Sequence, residues 1–264
     1  MKARQKIFLV MCVLIISGFI LSEVSLWWTY FDISRSSYHF MVRVEGLNKY
    51  HGNGSTEVIV PVPIINGKYV YGDEELANRS FGNWTTSLVT VENGKMLVFK
   101  TSDVHLTNIT AMFERFNDKY TCFGENDTIT FNPSGKLNAN DQLEAIKSIH
   151  RKYLNYFFHG QFDPGSEKYF NGFIENESLN NSVYRTKIIF TDVVPDSEAG
   201  DHRVIFNMIF TIDSGQFPYG KSSTNYVLIY DEYTGKIGEV DVKALHGIDN
   251  PYIQFITGRW SDDL

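Results

Sequence analysis

Residues 57–65 read Glu-Val-Ile-Val-Pro-Val-Pro-Ile-Ile, with Val58, Val60, Val62 and Ile64 at every second position and prolines at 61 and 63. This stretch constrains the fold more than any other. A period of two is the mark of a strand with one buried face. A helix is excluded, because each proline lacks an N–H and clashes with the preceding turn. Two prolines two residues apart lose their N–H groups on the same side of the strand. A strand tolerates that only at a sheet edge, where the loss also blocks edge-to-edge pairing with another molecule.

The same period runs through the chain. Residues 38–46 alternate with Phe40, Val42 and Val44 on one parity, and 86–100 carry Asn93-Gly94 between two apolar runs, a hairpin signal. Residues 106–116, 128–132, 183–194, 202–213, 225–231 and 236–242 read as further strands. One segment differs. Over 141–158, Leu143, Ile146, Ile149, Tyr153, Leu154 and Phe157 recur at helical spacing, with Asp141 and Glu144 spaced as a capping pair and Gly160 as a stop. The expected class is α+β: predominantly antiparallel β, sandwich-like, with one amphipathic helix. If the β-rich part divides into lobes, they are 36–133 and 134–264, parted within 131–141.

The amino end predicts a transmembrane helix ahead of that domain. Lys2, Arg4 and Lys6 precede an uncharged run from Ile7 to Leu21, and Leu26, Trp27 and Trp28 resume it after Glu23. At about 1.5 Å per residue, 7–28 crosses a hydrocarbon core of roughly 30 Å. Trp27, Trp28 and Tyr30 then form an aromatic belt. The rival reading, a signal peptide cleaved near Ser22, is poorly served by Ile20. Both readings keep the basic end in the cytoplasm and put the chain after about residue 30 outside; with the anchor retained the topology is single-pass, with residues 1–6 in the cytoplasm, 7–28 in the bilayer and 36–264 extracytoplasmic.

Charge and cysteines agree with export. Three of the 24 basic residues lie in the first 22, leaving 21 basic against 31 acidic side chains beyond them. So acidic a domain is not built for nucleic acid. Cys12 lies within the membrane segment, so Cys122 has no partner in the same domain and no internal disulfide framework exists. Seven N-x-[ST] sequons begin at Asn53, Asn78, Asn83, Asn108, Asn126, Asn176 and Asn180. They are candidate glycosylation sites in an exported chain.

Chemical motifs are thin. Residues 215–222, GQFPYGKS, fit the phosphate-loop pattern, and VLIYDE follows at 227–232. A phosphate loop must open a helix whose N-terminus holds the phosphates. Only Ser223, Thr224 and Asn225 separate Ser222 from the next alternating run. The string is therefore expected to join two antiparallel strands, with Lys221 in solvent and no nucleotide bound. Asp103 with His105, and the loop acids Asp196, Glu198 and Asp201, are weighed as cation ligands against the simpler reading of solvated side chains. Asp192, Asp213 and Asp231 at strand ends are the residues an acid–base hydrolase would need to bring together. No catalytic, cofactor or metal residue is assigned.

Tyr38, EVIVPVPI and FGNWTTSLVTVENGKMLVFK, within 36–116, and more faintly VLIYDEYTGKIGEV, resemble uncharacterised single-pass surface proteins of methanogenic archaea. The resemblance implies an envelope location and no particular activity. The expected function is a membrane-anchored exterior module with a binding or structural role in the cell envelope. It would touch the bilayer through 7–28 and an envelope protein or polymer through its domain. An exterior hydrolase and an exterior sensor subunit are the other readings.

Overall fold

The computed structural model describes residues 11, 15–25, 36–91, 94–117, 128–132, 135–157, 182–196, 202–216, 221–234 and 238–248. The strands are β1 (Ser36–Glu45), β2 (Tyr50–Ile65), β3 (Lys68–Tyr69), β4 (Ser80–Phe81), β5 (Trp84–Val91), β6 (Gly94–Thr101) and β7 (Ile109–Asn117). They continue with β8 (Ile129–Asn132), β9 (Gly135–Lys136), β10 (Ser182–Pro195), β11 (Arg203–Gln216), β12 (Lys221–Thr234) and β13 (Glu239–Ile248). The helices are the short α1 (Asp73–Leu76) and the long α2 (Ala139–Phe157).

The protein is predominantly antiparallel β. Its main path runs β4-β5-β6-β2-β10-β13-β12-β11-β1-β7, with β3 and β8 added to β2 and β9 to β10. β1 pairs β11 and β2 pairs β10, so strands from 36–133 and 134–264 share one sheet. The two facing sheets of a sandwich are replaced by a single sheet curled almost into a barrel. Its two ends meet through side chains: the Phe81 ring on β4 lies 5.2 Å from that of Phe113 on β7.

The prolines sit where the ladder changes partner. β2 pairs β10 only as far as Ile59, and it leaves β6 after Pro61 for β8, which pairs Val62–Ile65. The N–H and C=O of one strand residue point to the same side, and Pro63 O accepts from Val70 N at 3.3 Å. The proline nitrogens therefore face the gap between the β10 ladder and the short β3 pairing at Ile64 and Ile65. The outer edge expected for this strand is thus corrected. β2 is an inner strand with a local edge, and the prolines occupy it.

Alternation sends one parity inward. Phe40, Val42, Val58, Val60, Phe99, Phe113, Phe131, Phe206 and Phe210 belong to one buried cluster. Phe40 is its hub, with ring centroids 5.7 Å from Phe113, 5.8 Å from Phe131 and 6.2 Å from Tyr71. Burial pushes the Tyr71 phenol up, and its hydroxyl donates to Phe113 O at 3.1 Å. The outer face of β10–β13 is covered too. Ala145, Ile146 and Ile149 of α2 pack with Val183, Ile209, Tyr226, Leu228, Tyr230 and Leu245. This double burial explains the nearly unbroken apolar run of 204–212.

Two details of the helix differ from the expectation. Leu143 is 37% exposed rather than buried. The cap is Asn138, whose Oδ1 accepts from Asp141 N at 3.0 Å, and not Asp141 itself. The side chains of Tyr153, Leu154 and Phe157 lie outside the described residues. At the amino end, 15–25 are helical and expose Ile15, Phe19 and Leu21. Among the described residues no helix is long and apolar enough to cross a membrane. Most of the rest of 7–28 lies outside them.

Truncating Phe40 to Ala removes the hub of the inner cluster. The expected cost is about 3–5 kcal/mol, the range for a buried Phe that leaves a cavity. Urea unfolding of the purified protein measures it, and a loss below about 1 kcal/mol would show that the interior is not packed around this ring.

Candidate functional site

Polar chemistry gathers at the end of the barrel where β1 finishes and β2 and β11 begin. The strap 102–108 joins β6 to β7 across this rim. Gly52 N donates to Val104 O at 2.8 Å, and His51 and His105 form an antiparallel bridge. A Cβ on Gly52 would stand 2.5 Å from Thr56 Oγ1 and 2.6 Å from Asp103 O, so only glycine lets the strap lie this close. The bridge sets the His51 and His105 rings edge to face with centroids 5.4 Å apart.

The end of β10 adds a carboxylate. Asp196 Oδ2 is 3.1 Å from His51 Nε2, with both side chains partly exposed, and Asp196 N donates to Lys49 O at 3.0 Å. His202 Nε2 lies 2.6 Å from Asp196 O, and the Tyr50 hydroxyl donates to His202 O at 2.7 Å. His51 Nδ1 is buried without a hydrogen-bond partner. A histidine held by a carboxylate is the unit that general-base chemistry and proton exchange use. Among the described residues no three His, Cys, Asp or Glu side chains converge closely enough to hold a metal ion. The rim is a hydrogen-bonding surface.

The predicted residues fare unevenly. Asp103 and His105 do share the rim, but Asp103 accepts from Asn83 Nδ2 while His105 meets His51 edge to face. Of the loop acids only Asp196 is described; Glu198 and Asp201 lie outside. Asp192, Asp213 and Asp231 do not converge. Asp231 faces Phe206 across the β11–β12 ladder, whereas Asp213 faces Thr224 seven residues further along β11. That is roughly 23 Å of strand, against the roughly 5–9.5 Å between paired carboxylates in glycoside hydrolysis. Asp231 is paired with Lys152, Asp213 accepts from the Thr224 hydroxyl at 2.9 Å, and Asp192 sits exposed in a bulge at φ 58°.

GQFPYGKS joins antiparallel strands, as expected. β11 and β12 pair through to Gln216 and Lys221, and Lys221 is itself in a strand, so no helix N-terminus follows the loop. Residues 217–220 and the Lys221 side chain lie outside the described residues. The sequons at Asn53, Asn78, Asn83 and Asn108 are all exposed; Asn126, Asn176 and Asn180 lie outside, as do Cys12 and Cys122.

Two groupings have no counterpart in the motif reading. His39 stands between Glu114, 3.4 Å from its Nδ1, and Asp213, 3.8 Å from its Nε2. The carboxylates flank opposite ring nitrogens, so a single metal ion does not bridge them through this ring. Inside the barrel, His246 is 8% exposed, and its Nε2, like Thr186 Oγ1, has no hydrogen-bond partner. Sequence spacing carries no sign of either grouping, nor of His51 with His202, because only strand pairing brings them together.

The chain matches no protein-family model, no curated protein and no solved structure.

Burial lowers His246 from 6.5 to about 4. The unfolded chain therefore takes up a proton through its ordinary value near 6.5, whereas the folded protein takes it up only near 4. Stability from this group is intact above about 6.5, falls as the pH drops, and levels off below about 4, a loss of about 3 kcal/mol at most. Unfolding midpoints of wild type and His246→Leu across pH 4–7 check this. The leucine variant should lose less stability over that window, and identical pH profiles would contradict the assignment.

Proposed function

We propose that the protein is a membrane-anchored module whose β-rich domain stands outside the cytoplasm and has a binding or structural role in the cell envelope. The observation that carries this reading is the contrast between two apolar surfaces. Inside the barrel, large residues such as Trp84, Phe40 and Phe206 are fully buried. On the helical segment 15–25, by contrast, Ile15 is 65%, Phe19 69% and Leu21 69% exposed. A run of exposed apolar residues calls for a partner surface. The stretch ahead of this helix, which carries Lys2, Arg4 and Lys6 and no acid, fits a bilayer crossed with its amino end inside.

The separation of Asp192, Asp213 and Asp231 argues against the carboxylate hydrolase and for a module that acts through its surface. The filled interior favours the same reading, since aromatic side chains occupy the positions where a barrel would hold a ligand. The acidic balance of the domain keeps it off nucleic acid and anionic headgroups. The resemblance to surface proteins of methanogenic archaea accords with this location.

Protease added to intact cells should shorten the protein and leave a small membrane-bound amino-terminal fragment. Full protection until the cells are lysed would overturn the reading.

A further inference from the structure

The sequons offer a modification site that the proposed function leaves unused. Asn53, Asn83 and Asn108 are far apart in sequence but lie on one rim. β1 starts at Ser36 at one end of the barrel and runs to Glu45 at the other. Immediately beyond Glu45, Gly46 N and Leu47 N donate to Asn108 Oδ1 at 2.9 and 3.2 Å. Next along the strap, the Trp84 indole donates to Thr107 O at 3.0 Å, which fixes the turn carrying Asn83. Asn83 Nδ2 in turn donates to Asp103. Asn53 follows Gly52, whose N–H is bonded to the same strap.

Each asparagine is held outward by local structure. The β2–β10 register jumps between Gly52↔Val193 and Glu57↔Thr191, so 53–56 loop out of the ladder opposite the single residue Asp192. Gly54, with φ +94°, makes that turn. Asn108 is pinned through Oδ1 alone, which turns Nδ2 away from the two amides it caps. The hydroxyl residues two positions on, Ser55, Thr85 and Thr110, are exposed as well.

We propose that Asn53, Asn83 and Asn108 carry N-linked oligosaccharides, which form a collar on the rim opposite the end where the chain enters the barrel at Ser36. The inference rests on the exterior location argued above. In each transfer a bond forms between Asn Nδ2 and the anomeric carbon of a phosphate-activated oligosaccharide. The bond from that carbon to the phosphate oxygen breaks, the phosphate leaves with the electron pair, and one Nδ2 proton passes to solvent. The transferase and the activated donor belong to the export machinery. One N–H remains on each nitrogen, so Asn83 keeps its bond to Asp103, and Asn108 Oδ1 keeps its cap. If an anchor precedes Ser36, this rim is the end held away from the bilayer, where bulky, hydrophilic groups are best accommodated.

The test is peptide mapping by mass spectrometry of the full chain extracted from membranes of its own cells. It is combined with Ser55→Ala, Thr85→Val and Thr110→Val, which remove each sequon without touching the asparagine. Each variant should lose one glycan mass, and its unfolding midpoint should stay close to that of the enzymatically deglycosylated wild type. Unmodified Asn53, Asn83 and Asn108 in a chain that external protease cuts would overturn the collar alone. The same result in a chain protected from protease would overturn both the collar and the exterior location.

Discussion

The sheet closes on side chains rather than on a ladder, and everything else in the structure depends on that closure. β4 contributes only Ser80 and Phe81, too little to bond along β7. The seam is held instead by Phe81 against Phe113, by the Tyr71 hydroxyl on Phe113 O, and by Arg115, which donates to Val70 O and pairs with Glu75 at 3.5 Å. An open edge of nine residues on β7 would invite pairing with another chain. Covering it with the 70–81 segment removes the template and encloses the aromatic interior in the same step. Aromatic pairs of this kind add about 0.5–1.5 kcal/mol each beyond the area they bury.

The closed interior in turn decides where chemistry can occur. The inner cluster leaves polar groups few places inside, and His246, the one buried imidazole there among the described residues, is held neutral at physiological pH by its burial. Ion-pairing and hydrogen-bonding groups are accordingly found at the rim and on the outer wall. His51 meets Asp196 at one, and His39 stands between Glu114 and Asp213 on the other. The strap 102–108 links rim and seam, because it ties Trp84, Gly52 and His51 while delivering the chain to β7.

Much of the secondary structure was legible in the sequence, because alternation reports directly which side chains face inward. Phe40, Val42 and Val44, then Val58, Val60 and Val62, are buried as their parity demands, and β5 and β6 pair as a hairpin up to Val91 and Gly94, where Asn93-Gly94 signals the turn. Alternation does not report a strand's neighbour. That β1 lies between β7 and β11, that β2 changes partner at its prolines, and that one sheet curls where two were expected are matters of pairing between distant segments. The rim was illegible for the same reason: His51, His105, Asp196 and His202 share no spacing. The failed phosphate loop was legible, since a helix needs room after the Gly-Lys-Ser and β12 already starts at Lys221.

The central claim is that the rim bearing His51 and the strap faces away from the cytoplasm. The most direct measurement is labelling of an exposed strap residue, Ser102→Cys in a Cys12→Ser, Cys122→Ser background, with a membrane-impermeant maleimide. The account requires labelling in intact cells at the level reached after lysis. Labelling that appears only once the membrane is broken would contradict it.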